Sequence, residues 1–398
     1  MRGTAQGSSN IDSTRAQALV QAQALIHARA QSHCAACPKL CRHVCPVADA
    51  EKRESVTPWA LMSSQHFERM ASSTLDPELS EASYHCSACG ACERACKFEA
   101  PVVEALRSRR AAAFEQGQAP SSVQAVVSAF EARGGKPHQE EPLEPGPVEG
   151  EGSSTRWWPD CSSVARSPQT LVELERLLQR LEGVSVPRPA GPALCCGLPL
   201  LDAGALDAFE AHAQRVAEQL RGTSRLLVTD SACFQTLRDA YAQVGVLLEP
   251  RLESLHARLE QAAMRLPKGV LADVLKGQTL VFWPGCSDFR EGYEPQSTAH
   301  WLAHLVGKPV RTAEGLGGPV LCSGAGGGLP EHLPEVARAV AIRSVEQLRL
   351  ARGEVLVLSC ARSRDWLKRH GLPSRAPTGV LLQALEVWDS AATQDETR

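Results

Sequence analysis

No stretch of this sequence approaches the roughly 18 consecutive apolar residues that a membrane-spanning helix needs, which argues against a bilayer anchor. A secretory leader is not expected either. Residues 11–31, "IDSTRAQALVQAQALIHARAQ", are rich in Ala and Gln and interrupted by Arg15 and Arg29, with no continuous apolar core before a small-residue cleavage site. Excess basic charge is also missing: 42 lysines and arginines meet 45 aspartates and glutamates, so nucleic acid is not an expected partner. The segment "GAGGG" at 324–328 has Leu329 where a G-x-G-x-x-G fingerprint would place its last glycine. Its amides could form an anion-binding nest, but turn geometry beside Cys322 explains the glycines better. No Ser/His/Asp arrangement, HExxH motif or flavin or nicotinamide site is visible. A cytoplasmic protein is the expectation.

Cysteine, by contrast, is abundant, with 15 residues. In a reducing compartment clustered thiols point to metal or redox chemistry more often than to disulfides. Eight of them lie in two short runs, "SHCAACPKLCRHVCP" (32–46) with Cys34, Cys37, Cys41 and Cys45, and "YHCSACGACERACK" (84–97) with Cys86, Cys89, Cys92 and Cys96. Structural zinc sites usually draw on two separated pairs. Three crowded thiolates followed by a fourth suit a cubane iron–sulfur cluster instead. Zinc and disulfides remain the alternatives. His33 and His85 each precede the first cysteine of a run, and with eight cysteines to hand they read as hydrogen-bonding neighbours rather than ligands. Lys39, Arg42, Arg94 and Lys97 read either as counter-charges to the thiolates or as solvated surface charge.

Between and after the runs the pattern is helical, punctuated by Pro58 and Pro77, with Val102, Val103, Leu106 and Ala113 at helical spacing. Residues 1–20 are assigned to a disordered N-terminus and 21–133 to a helical domain with its cysteines in the turns. Residues 134–154, "GGKPHQEEPLEPGPVEGEGSS", have almost nothing to bury and read as a flexible linker of roughly 25 Å coil span. Beyond it, "RLLVT" (225–229), "TLVFWP" (279–284) and "EVLVLS" (354–359) alternate with amphipathic helices, which predicts parallel sheets covered on both faces.

This half repeats internally. "RWWPDCSS" (156–163) aligns with "VFWPGCSD" (281–288), "ALCCGLP" (193–199) with "VLCSGAGGG" (320–328), and "RLLVTDSACFQTL" (225–237) with "EVLVLSCARSRDWL" (354–367). Three landmarks in one order predict two copies of a unit of roughly 120 residues, at 155–275 and 276–390, with 391–398 as a tail.

The two cysteine runs resemble those of two-cluster bacterial ferredoxins, in which the fourth cysteine of each run ligates the other cluster. That resemblance implies one [4Fe–4S] cluster on Cys34, Cys37, Cys41 and Cys96 and another on Cys86, Cys89, Cys92 and Cys45. The first run departs from it with three residues between Cys37 and Cys41, and the second has Lys97 where proline is common. The long helical separation resembles the ferredoxin domain of succinate dehydrogenase-like and heterodisulfide reductase-like subunits. The repeated half resembles their cysteine-rich CCG domain. Together, over about residues 30–390, the chain resembles the iron–sulfur subunit of glycolate oxidase, anaerobic glycerol-3-phosphate dehydrogenase, lactate utilisation proteins and the heterodisulfide reductase catalytic subunit. The implied fold is an α-helical ferredoxin domain followed by a duplicated α/β cysteine-rich domain with parallel sheets.

Neither repeat has the five cysteines of the CCG pattern. The first keeps Cys161, Cys195, Cys196 and Cys233, with Asp230 in the place of a fifth; these form a candidate third metal site, Asp230 offering an oxygen ligand. The second keeps Cys286, Cys322 and Cys360, with Ser323 and Ser363 in the remaining places, and is the weaker candidate. Small buried residues are the alternative fate for these thiols. No catalytic residue is assigned. The resemblance implies single-electron transfer from a FAD-linked dehydrogenase, acting on a 2-hydroxy acid such as glycolate or lactate or on glycerol 3-phosphate, to quinone or another carrier. It also leaves room for peripheral association with the inner face of a membrane through a partner. The competing reading is a reductase that acts on a disulfide or quinone at a cluster in the repeats.

Overall fold

The computed structural model describes residues 7–71, 75–137, 154–189, 191–291, 295–314 and 320–396. Its N-terminal part is helical, as the proline-punctuated pattern predicts. Helix Gly7–Ala35 packs on Pro58–Met70, and Val102–Glu115 and Ser121–Ala132 follow the second cysteine run. The first helix begins well inside the lead assigned to disorder, because residues 8–35 contain neither Gly nor Pro and are rich in Ala and Gln, both good helix formers. Residues 1–6 lie outside the described residues, as do 138–153 of the linker. Residues 134–137 of that linker are docked instead, with Cys195 N–H donating to Gly135 O at 2.9 Å. The last helix, Pro377–Glu396, likewise runs through most of the residues assigned to a tail.

Among its described residues the remainder holds two three-stranded parallel sheets. In the first, β1 (Thr155–Trp158) pairs with β2 (Arg225–Val228), and β2 with β3 (Arg251–Ser254), Trp157 standing beside Leu227 and Leu227 beside Glu253. In the second, β4 (Thr279–Trp283) lies between β5 (Arg311–Thr312) and β6 (Glu354–Leu358), with Phe282 beside Val357. The strand on the free side of each sheet has a single-residue counterpart in the other. Trp157 N–H donates to Pro187 O at 3.1 Å where β5 would lie, and Arg375 bonds to Leu356 and Leu358, at 2.9 Å each, where β3 would lie. The repeated sequence landmarks therefore occupy equivalent places in equivalent topologies.

Strand residues alternate faces, and here both faces are buried, as parallel sheets require. Trp157, Leu227, Phe282 and Val357 point into one core shared by the two repeats, together with Trp301 and Leu302. Their neighbours face the helical domain: Trp158, Leu226 and Val228 meet Tyr84, Val123 and Phe130, while Val281, Trp283, Leu356 and Leu358 share a core with Val47, Cys89 and Ala91. Each repeat thus packs on its sister with one sheet face and on the cysteine runs with the other.

Polar contacts fix this arrangement. Arg110 is 1% exposed. Its Nε and Nη2 donate to Ser83 O at 3.0 and 2.8 Å, Nη2 also to Cys86 O at 2.8 Å, and Nη1 to Asp202 O at 2.9 Å and Gly327 O at 3.0 Å. Tyr84 Oη reaches Ala203 O at 3.0 Å from the same helical domain. Gly326 and Gly327 lie so close to the Ser87 and Cys86 carbonyls that a Cβ on either would collide with them. This is the reason for the glycines of "GAGGG": they let the second repeat lie against the second cysteine run.

Replacing Arg110 with Met leaves four buried carbonyls without their donor, so the Arg110→Met protein is expected to lose about 3–5 kcal/mol in denaturant unfolding. Arg110→Lys, which supplies three rotatable donors from one nitrogen, should recover only part of it. An unchanged unfolding midpoint in both would refute this role.

Candidate iron–sulfur centres

Each cysteine run is a turn closed by a left-handed residue and a short helix. Cys34 ends the first long helix; Lys39, at φ 70°, then starts the 3-10 turn Leu40–Val44, which carries Cys41. In the second run Gly90, at φ 72°, starts helix Ala91–Ala95, which carries Cys92. The same left-handed start serves both, so the extra residue between Cys37 and Cys41 is taken up by Pro38 ahead of it. Cys45 and Cys96 follow in extended backbone, φ −78° and −82°. Cys45 also caps helix Pro46–Glu51, its Sγ accepting Ala48 N–H at 3.5 Å.

The thiols sort into two neighbourhoods. Burial pushes Cys34 up to about 12, helped by the charges of Cys41, Cys96 and Cys37; Cys41 is pushed up to about 11 by burial, then by Cys37 and Cys96. Cys45 rises to about 12 through burial, with Cys89 and Cys86 adding to it, and Cys92 rises well above the thiol range through burial and the charges of Cys89, Glu93, Cys86 and Cys45. Cys45, Cys86, Cys89 and Cys92 also line one cavity, walled by Val47, Val56, Pro58, Leu61, Val102 and Leu106. Thiols held in an apolar wall resist ionisation unless a metal centre replaces their protons, and these quartets fit such a centre. Among the described residues no three His, Cys, Asp or Glu side chains close around the point a single ion would occupy; a cluster of several irons is larger than an ion.

The flanking residues have their own partners. His85 Nδ1 is 2.7 Å from Glu51 Oε1, and the His33 ring lies 5.6 Å from that of Phe98. Lys39 Nζ sits 3.6 Å over the Trp59 ring, Arg42 pairs with Glu54 at 3.2 Å, and Arg94 lies over Phe289. Lys97 is exposed.

In the first repeat four thiols gather. Cys195, Cys196 and Cys233 lie in one core, with Cys161 packed against it. Hydrogen bonds from Cys195 and then Cys233 draw Cys161 down to about 6, while the bond to Cys195 and burial push Cys196 up to about 12. Cys161 and Cys233 stand on the first turns of helices Cys161–Arg166 and Ser231–Gln235, capped by Asp160 and Asp230. Asp230 is fully occupied by that duty: Oδ1 accepts Ala232 N–H at 2.9 Å and Cys233 N–H at 3.3 Å, and Oδ2 accepts Ala361 N–H at 3.3 Å from the sister repeat.

The second repeat gathers its cysteines less well. Cys286 feels the charges of Cys360 and Cys89, but Cys322 turns to Ser87 and Cys89 of the helical domain. Ser323 and Ser363 bond to each other at 2.7 Å. All seven repeat cysteines nevertheless line one cavity of about 420 Å³ between the two repeats, whose wall also includes Ser87, Arg290 and Arg362. Sequence reasoning missed Arg107, Asp202 and Arg362: Arg107 Nη2 meets Asp202 Oδ1 at 2.8 Å, and Arg362 lies 3.9 Å from the same carboxylate, joining the helical domain to both repeats beside this cavity. It also missed Arg290, which donates to Ala88 O at 2.7 Å. Charged residues in amphipathic helices carry no local mark of such roles.

Comparison with known proteins agrees with this layout. Residues 30–100 match the 4Fe-4S dicluster domain and residues 155–238 the cysteine-rich domain. Both domains are present in this chain, and the first indicates two [4Fe–4S] clusters. A subunit of the fumarate reductase (CoM/CoB) of Methanothermobacter marburgensis is 24% identical over 331 residues, 79% of this chain. The chain covers 63% of that relative's length.

If Asp230 serves as a cap, Asp230→Asn, which keeps the Oδ1 acceptor and loses only the one for Ala361 N–H, should cost less than Asp230→Ala, which loses both at about 1–2 kcal/mol, and metal content should be unchanged in each. Loss of metal from the Asn protein, measured by elemental analysis, would make Asp230 a ligand instead.

Proposed function

We propose that this chain is the electron-transfer subunit of an oxidoreductase complex, with one cluster on Cys34, Cys37, Cys41 and Cys96 and the other on Cys86, Cys89, Cys92 and Cys45. The observation that carries this reading is the placement of the quartets. All four thiols of the first are half-buried, whereas Cys89 and Cys92 of the second are buried, and Ser87 and Ala88, between Cys86 and Cys89, line the cavity between the repeats. Electrons exchanged with a partner at the surface would pass through the first cluster to the second, and from there towards the cavity.

The donor is a FAD-linked dehydrogenase and the acceptor quinone or another carrier, a reading supported by the resemblance of the whole chain to such subunits. Among the described residues no helix is long and apolar enough to cross a membrane. In this reading a quinone is met through a partner subunit at the inner face of the membrane. The 420 Å³ cavity and its thiols favour a second reading, reduction of a small acceptor within it at a cluster held by Cys161, Cys195, Cys196 and Cys233. The related protein's name, a fumarate reductase subunit, supports that reading too.

Protein purified without oxygen should contain about eight irons and eight sulfides per chain, or about twelve of each if the first repeat holds a cluster. Zinc without sulfide would refute the electron-transfer reading. The crossed ligand sets have their own test in paired substitutions. Cys34→Ser with Cys96→Ser strikes one cluster and should spare about four irons, whereas Cys34→Ser with Cys45→Ser strikes both and should spare almost none. The opposite ranking would mean that each run holds its own cluster.

A further inference from the structure

Arg290 brings a charge from the second repeat onto the second cysteine run. It stands in the last turn of helix Cys286–Glu291, and the aligned residue of the first repeat is Ala165. Its Nη2 donates to Ala88 O at 2.7 Å. Ala88, between Cys86 and Cys89, has φ 53°, a left-handed conformation that a residue with a side chain seldom adopts. On the other side of Cys89, Gly90 at φ 72° leaves room for the guanidinium: a Cβ there would lie 3.0 Å from Arg290 Nη2 and 3.1 Å from Nε. The guanidinium therefore rests on both neighbours of Cys89. Its carboxylate partner is distant, with Glu93 Oε2 at 3.9 Å, while Glu93 Oε1 accepts Val103 N–H at 2.7 Å. Arg290 Nε is buried and has no hydrogen-bond partner among the described residues. A buried donor without an acceptor is costly, and a centre whose sulfurs carry negative charge and accept hydrogen bonds fits this one.

We propose that Arg290 is a positioning residue for the second cluster: it fixes the Ala88 turn and sets positive charge beside Cys89, which raises the midpoint potential of that cluster. The proposal rests on the reading that Cys45, Cys86, Cys89 and Cys92 hold the cluster. Positive charge nearby favours the reduced, more negative state. The second repeat then tunes the electron carrier without supplying a ligand to it.

The test is a redox titration followed by low-temperature EPR on the full chain, purified without oxygen, with iron and sulfide counted in each preparation. In Arg290→Gln, which removes the charge, one of the two midpoints should fall by a change of about tenfold in the reduction equilibrium, or about 59 mV for one electron. The midpoint that falls should be the one that persists in the Cys34→Ser, Cys96→Ser protein, and the other should stay as it was. Arg290→Lys, which keeps the charge, should hold the midpoint near the parent value. Unchanged midpoints in Arg290→Gln would overturn the proposal, as would a fall in the other cluster alone or an equal fall in the Lys variant. If Arg290→Gln loses about four irons, the Lys variant decides: full iron with a parent-like midpoint supports the proposal, and a fallen midpoint or the same iron loss overturns it. Full iron retention in Cys89→Ser would instead remove the underlying ligand assignment.

Discussion

The guanidinium of Arg110 is the constraint around which the parts of this protein are assembled. Its five N–H groups leave in a rigid planar fork, and each finds a main-chain oxygen: two bonds go to Ser83 and one each to Cys86, Asp202 and Gly327. Those carbonyls belong to the helical domain and to both repeats. Burying a charge is costly unless every donor is satisfied, so the fork accepts only one mutual placement of the three units. Burial lowers the Arg110 pKa, and the charge of Cys86 opposes that. The residue therefore also supplies positive charge beside Cys86 of the second cysteine run.

The sheets turn this local constraint into an architecture. Because side chains alternate along a strand, the adjacent tryptophans of "RWWPD" face opposite ways: Trp157 into the core between the repeats, Trp158 towards the helical domain. Phe282 and Trp283 divide in the same way in the second repeat. The cysteine turns follow the C-terminal ends of β1, β4, β2 and β6, so a pair of sister repeats packed side by side brings all of them to one cavity.

Much of this is legible in the sequence because it is written locally. The crowded cysteine runs, the linker composition, the strand motifs and the three repeated landmarks are patterns within short windows. What stays hidden depends on distant partners. Nothing in "RSRR" (107–110) sets Arg110 apart from its neighbours, and nothing in "GAGGG" shows that two of its glycines meet the carbonyls of Cys86 and Ser87. Asp230, aligned with a missing cysteine, looks like a substitute ligand, yet a carboxylate preceding a helix is also a strong cap, and the structure gives it that role. The start of the N-terminal helix is masked by its polarity, although the stretch lacks any helix breaker.

The two repeats differ along complementary lines, and only the first gathers its thiols. In the first, Asp160 precedes Cys161 and caps its helix through Ser163 N–H at 2.8 Å. In the second, Gly285 stands in its place and the carboxylate has moved three residues on: Asp288 takes Gly285 N–H at 2.9 Å and also accepts from Ser231 at 2.6 Å across the interface. The carboxylate in the second repeat thus binds its sister, as Asp230 of the first does through Ala361 N–H. Ser323 and Ser363 satisfy each other, so the second repeat presents hydroxyls, poor partners for iron, where the first has Cys196 and Cys233. The first keeps its four cysteines together in and against one core. The second braces the assembly and meets the helical domain where Cys322 lies 3.3 Å from Ser87.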